Sequence, residues 1–89
     1  MKRVYVVTRY DKEVKGKFLV GVWNRLKDVR NFLYDRNDVL IDSTKQDIED
    51  LTHEVLQTLY EPRISVEFAN CIYFIEETIL DFSKLKHII

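Results

Sequence analysis

Residues 4–10 form a run of β-branched and aromatic side chains broken only by Arg9, and that composition predicts a strand. The polar stretch Asp11-Lys12-Glu13-Val14-Lys15-Gly16 follows and ends in glycine, the residue that tolerates positive φ in a turn. Residues 18–23 are apolar throughout and predict a second strand. Residues 4–23 therefore read as a β-hairpin with a longer, lysine-bearing loop. Gly21 inside the second strand signals a bulge or a close approach by another element.

The period then changes. Asn24 suits an N-cap, and Leu26, Val29 and Leu33 recur at helical spacing, with Phe32 and Tyr34 at the margins of the stripe. This predicts a helix over 25–36, broken by Asn37-Asp38. Val39-Leu40-Ile41 reads as a short third strand. Ser43-Thr44, followed by Gln46 and Asp47, resembles a capping box and opens a second helix. Asp47, Glu49 and Asp50 occupy its first turns, where the helix dipole favours negative charge. Ile48, Leu51, Val55, Leu56 and Leu59 share its core face, and Pro62 ends it. Ile64, Val66 and Phe68 alternate with Ser65 and Glu67, as in a half-buried strand. Residues 71–75 fit a strand that closes a second hairpin. They also fit a helix, because Ile72, Ile75, Ile79 and Phe82 would share a face. The division adopted is a strand to about Ile75 and a helix from Glu76 to His87.

The order β-β-α-(β)-α-β-(β)-α predicts an α+β domain. A small, mainly antiparallel sheet of three to five strands carries two or three helices. The 89 residues suffice for one domain, and a 46% hydrophobic share suffices for a packed core. No apolar run nears the roughly 18 residues of a membrane span, and the first residues lack a signal-peptide stretch. The expectation is a protein off the membrane and in the cytoplasm, the host cytoplasm if the origin is viral. Cys71 is the only cysteine, which leaves no intramolecular disulfide and too few soft ligands for structural zinc.

Charge is unevenly distributed. Residues 1–34 carry nine Lys or Arg against three Asp or Glu, while residues 35–61 carry two against eight. A net charge of −1 hides this division. It suggests charged partners, or two copies meeting head to tail.

Catalytic motifs are missing from the sequence. His53 has Glu49 one turn earlier and so offers two metal ligands, but a catalytic zinc site needs three. The position four residues after His53 is Gln57, not the second histidine of a zinc-protease helix. Glu76, Glu77 and Asp81 form a carboxylate group that a helix N-terminus already explains. The serines lack a nucleophile-elbow context, and two glycines cannot build a phosphate loop. The expectation is a non-enzymatic protein with no cofactor and no metal.

Surface recognition remains. A basic set, Lys12, Lys15, Lys17, Arg25 and Arg30, is interleaved with aromatic residues. That combination suits nucleic-acid binding through phosphate contacts and stacking. The pI of about 6.1 argues against it. An acidic set, Asp35, Asp38, Asp42, Asp50 and Glu54, suits docking on a basic protein surface. The basic hairpin of one copy and the acidic helix of another also suit a two-fold homodimer.

Val4-Tyr5-Val6-Val7-Thr8, then Phe18-Leu19-Val20-Gly21-Val22-Trp23, then an amphipathic helix, resemble the opening of small bacterial and phage proteins. In those a YVVT strand pairs with a GVF strand before a helix; here Trp23 stands at the phenylalanine. The resemblance covers residues 3–36, implies a hairpin-plus-helix start and implies no activity. The sequence thus leads to a small accessory protein, of viral type, that binds a protein partner and blocks a host factor. Nucleic-acid regulation through the basic hairpin is the alternative, and a structural homodimer is the second.

Overall fold

The computed structural model describes residues 2–58 and 63–80. Strands β1 (Lys2–Asp11) and β2 (Gly16–Trp23) form the expected hairpin. Helix α1 (Leu26–Tyr34) follows, then α2 (Thr44–Glu49) and α3 (His53–Thr58). Strands β3 (Arg63–Glu67) and β4 (Cys71–Leu80) form a second hairpin. The four strands make one antiparallel sheet in the order β2-β1-β4-β3. The fold is α+β, as the pattern of elements predicts.

Side-chain alternation divides the sheet into two faces. On one face lie Tyr5 and Val7 of β1, Val66 of β3, and Cys71, Tyr73 and Ile75 of β4. They are buried in a single cluster with Leu26, Val29 and Leu33 of α1, Ile48 of α2, Leu51, and Leu56 of α3. The other face carries Val4, which is buried, and Val6, Thr8, Tyr10, Ile72 and Phe74, which are partly exposed; no helix is built against it among the described residues.

Local departures from the sequence reading have identifiable causes. Arg25, not Asn24, is the N-cap of α1, in extended backbone and without a side-chain cap. The positive φ of the hairpin loop falls on Lys15 (φ 56°), and neither glycine adopts one. The Asp11 carboxylate shapes this loop by accepting from the amides of Glu13 and Val14 at 2.9 and 3.0 Å. Gly21 marks the bulge suggested for it, and the group that approaches it belongs to its own strand rather than to another element. The β1–β2 register shifts beside it, leaving Val20 without a partner residue on β1. The Trp23 ring also covers it, so an added Cβ would lie 2.9 Å from Cη2.

The expected strand over 39–41 does not form. The Val39 carbonyl accepts from the Ala69 amide at 2.8 Å, yet Val39 and Leu40 remain 63% and 52% exposed. The expected second helix is interrupted after Asp50. The carbonyl of Leu51 accepts from Arg30 Nη1 at 2.7 Å, and Thr52 Oγ1 accepts from the Val55 amide at 3.2 Å. The side chain of Thr52 thereby starts α3 anew. The capping box is not used either. Ser43 is the N-cap without a side-chain bond, while Thr44 and Asp47 turn toward β3.

Residues 76–80 are strand, not helix. β1 is ten residues long and would leave Lys2 to Val6 unpaired on this side without them. Ladder pairing with β-branched Thr78 and Ile79 outweighs the helical spacing of Ile72, Ile75 and Ile79. Glu76 and Glu77 consequently point to opposite faces. The remainder of that expected helix, together with Leu59 and Pro62, lies outside the described residues.

Candidate interaction surface

Much of the sequence's charge is used to hold the fold together. Asp38, one of the expected acidic docking residues, is drawn into the edge of the core. It accepts from the Tyr73 hydroxyl at 2.7 Å and is flanked by Arg9 and Arg36, each at 3.4 Å. Arg9 also reaches Asp11 at 3.0 Å, so the cluster ties the loop after α1 to the hairpin. Burial pushes the Asp38 carboxyl up, but the Tyr73 hydroxyl and the two guanidiniums outweigh it and hold the group below its usual range. Burial, and then the Asp38 carboxylate, push the Tyr73 phenol up to about 12. Burial, and then Asp38, also push the Cys71 thiol up. A phenol and a thiol shifted this way stay protonated at neutral pH, which suits holding a loop rather than proton transfer.

A second buried carboxylate lies at the far end of the same face. Glu77, with a side chain 6% exposed, pairs with Arg3 at 2.8 Å. His53 Nδ1 lies 3.7 Å from its other oxygen. His53 therefore faces β4, because the helix break removes it from the Glu49 face. Burial, and then Glu77, raise the neighbouring Tyr5 phenol.

The expected basic set separates on the same principle. Lys12 binds the Glu67 carboxylate at 3.0 Å and the Phe68 carbonyl at 3.1 Å, which ties the two hairpin turns together. Arg30 holds the Leu51 carbonyl. Lys15, Lys17 and Arg25 remain at the surface, all around β2. Lys15 and Lys17 stand at its start. Arg25, in an exposed pair with Asp28 at 3.3 Å, follows its end. Of the acidic set, Asp50 accepts from Gln46, while Asp35, Asp42 and Glu54 are exposed. The two sets do not form one site.

The sheet's two edges differ. β3 is covered at its last residue: Thr44 Oγ1 donates to the Glu67 carbonyl, and Asp47 Oδ2 accepts from the Glu67 amide at 3.2 Å. Side chains of α2 thus occupy the donor and acceptor that Glu67 would otherwise offer to another strand. Along β2, among the described residues, nothing plays this part. β2 pairs with β1 on one side, and among the described residues no strand lies on its other. Phe18, Leu19 and Val22 on it are 51%, 69% and 53% exposed.

The bulge organises these side chains. Leu19 lies opposite Thr8 and Val22 opposite Val6, so both lie on the helix-free face although three residues apart. Without the extra residue one of them would turn toward the helices. An open edge with apolar side chains is a template for strand addition. The sequence reading missed these residues because an all-apolar strand reads as buried. Gly21, already a bulge signal, was the clue that would have placed Leu19 and Val22 together.

Comparison with protein-family models, with curated proteins and with solved structures found no match.

Proposed function

We propose that this protein is a non-enzymatic interaction module that binds a protein partner through the open edge of β2. The single observation that supports this most is the contrast between the edges: α2 caps the end of β3 with two hydrogen bonds to Glu67, while among the described residues nothing covers β2, which carries three exposed apolar side chains. Edge strands are normally blunted by charge, proline or a covering element. β2 has Lys17 and one bulge, and the bulge gathers apolar surface on the helix-free face. In strand addition the backbone supplies affinity and alternate side chains supply specificity.

The nucleic-acid alternative has weaker support. Phe74, the aromatic best placed on the helix-free face, already has Arg63 at 4.2 Å and Lys17 at 5.2 Å from its ring centroid. Those cations occupy positions that a stacked base would need. Glu67 and Glu76 belong to the same face and repel phosphate.

The test pairs Leu19→Lys with Val22→Lys in one variant. Both side chains are exposed, so the variant is expected to unfold at the same urea concentration as the parent. It is expected to lose a partner isolated with the parent protein. Retention of the partner by the variant, or nucleic acid as the retained species, would overturn the proposal.

A further inference from the structure

We infer that the β2 edge takes an extended peptide segment with apolar residues at its centre and acidic residues at both ends, added as a fifth strand. The inference rests on the edge-binding reading above and names the chemistry of the partner. β2 is eight residues long, so it spans about 26 Å at roughly 3.3 Å per residue and accommodates a segment of six to eight residues. The apolar requirement comes from Leu19 and Val22, next to which the added strand's residues on the helix-free face would lie. Phe18, opposite Arg9 on the β1 ladder, offers the same kind of contact on the other face.

The acidic requirement comes from the ends of the strand. Lys15 and Lys17 stand at its start, and Arg25 and Lys27 follow its end, all exposed. The acids near them are Glu13 in the turn and Asp28, which is already paired with Arg25 at 3.3 Å. A surplus of positive charge therefore brackets the open edge, and an acidic segment complements both ends.

The same charges disfavour a second copy at this edge. Antiparallel two-fold pairing of β2 with itself would bring Lys15 and Lys17 of one strand beside Arg25 and Lys27 of the other, at both ends. Like charges facing each other across strands are destabilising. The chain's own Asp38-Val39-Leu40-Ile41-Asp42 has the right chemistry but is engaged. The Val39 carbonyl accepts from Ala69, the Ile41 amide donates to Thr44, and Asp38 holds Tyr73.

The experiment uses two synthetic nine-residue peptides with a central run of Val flanked on both sides by Glu, or by Lys. A proline at each end blocks their self-pairing. Binding to the full chain is read by fluorescence anisotropy at about 50 mM and about 500 mM salt. The Glu peptide is expected to bind about tenfold more tightly than the Lys peptide at low salt, mainly through association rate. That advantage is expected to shrink at high salt, and to vanish in a Lys15→Glu, Lys27→Glu variant. The Leu19→Lys, Val22→Lys variant is expected to bind neither. Equal binding of both peptides, lost only in the Leu19 and Val22 variant, would overturn the acidic specificity and leave the edge reading standing. No binding of either peptide would overturn both. Sedimentation showing a dimer that excludes the Glu peptide would overturn the inference in favour of a second copy.

Discussion

Replacing Tyr73 by Phe removes one hydroxyl from a fully buried ring and tests the charge cluster that anchors the loop after α1. The hydroxyl donates to the Asp38 carboxylate at 2.7 Å. A hydrogen bond to a charged group contributes about 1.5–3 kcal/mol, so about 2 kcal/mol is the expected loss at neutral pH. The pH dependence supplies a second magnitude, for ionisation of the phenol. The phenol of Tyr73 sits at about 12 in the folded protein, against about 10 in an unfolded chain. The folded state therefore holds this proton more tightly. Its contribution is complete below pH 10 and is lost as the pH rises through about 12, a change of roughly 3 kcal/mol. The two magnitudes have different origins: burial of the phenolate leads the alkaline change, with the Asp38 carboxylate second, whereas the deletion removes the hydrogen bond alone.

The acid side has the opposite sign. Asp38 is held below its usual range, with Tyr73 the leading favourable partner. Its contribution is present above about pH 4 and is lost as the pH falls further. In Tyr73→Phe the carboxyl is expected to rise toward its usual range, which shifts the acid unfolding midpoint upward. The assay is urea unfolding followed by circular dichroism from pH 3 to pH 11, for parent and variant together. Subtracting one curve from the other cancels the titration of the lysines. A loss below about 0.5 kcal/mol at pH 7, with an unchanged alkaline decline, would refute the reasoning.

Other changes test other joints of the fold. Gly21→Ala places a methyl 2.9 Å from the Trp23 ring, which itself packs on Phe32 at 4.9 Å. It should cost about 1–3 kcal/mol in urea unfolding and shift the tryptophan emission, while an unshifted emission and midpoint would contradict the packing. Thr44→Val keeps the shape but removes the hydroxyl between the Ile41 amide and the Glu67 carbonyl. About 2 kcal/mol should be lost in thermal or urea melts, and Thr44→Ser should recover most of it. Lys15→Gly relieves a positive φ and should stabilise the protein by up to about 1 kcal/mol, whereas Lys15→Val should destabilise it; equal melting of both variants would argue against the turn geometry.

The sequence carried the elements better than it carried their partners. The hairpin of β1 and β2, the apolar stripe of α1 and the alternation of β3 were all readable because local period reflects burial. The α2–α3 break was not, because it depends on Arg30, some twenty residues upstream, reaching the Leu51 carbonyl. Thr52 did carry a local N-cap signal, but it lay inside a longer helical stripe that concealed it. The strand character of residues 76–80 was likewise non-local, since it comes from the length of β1.

The charge patches show the same limit. Lys12, Arg30, Asp38 and Asp50 have local or tertiary partners that counting charges along the chain cannot reveal. What persists is the positive charge around β2, with Lys15, Lys17 and Arg25. The apolar part of the candidate surface was hidden for a different reason. Phe18, Leu19 and Val22 have the composition of a central strand, and only the sheet order β2-β1-β4-β3 puts them at an edge.

The most direct measurement of the proposed role is amide hydrogen exchange along β2 in dilute protein, then with the Val–Glu peptide. In an antiparallel edge strand, alternate amides point away from the sheet. Those of β2 are expected to exchange rapidly in the free protein, while the Glu67 amide, held by Asp47, is protected. Adding the peptide should slow the outward β2 amides and leave Glu67 unchanged. Outward β2 amides already protected in the dilute free protein, or a peptide that binds without slowing them, would contradict the account.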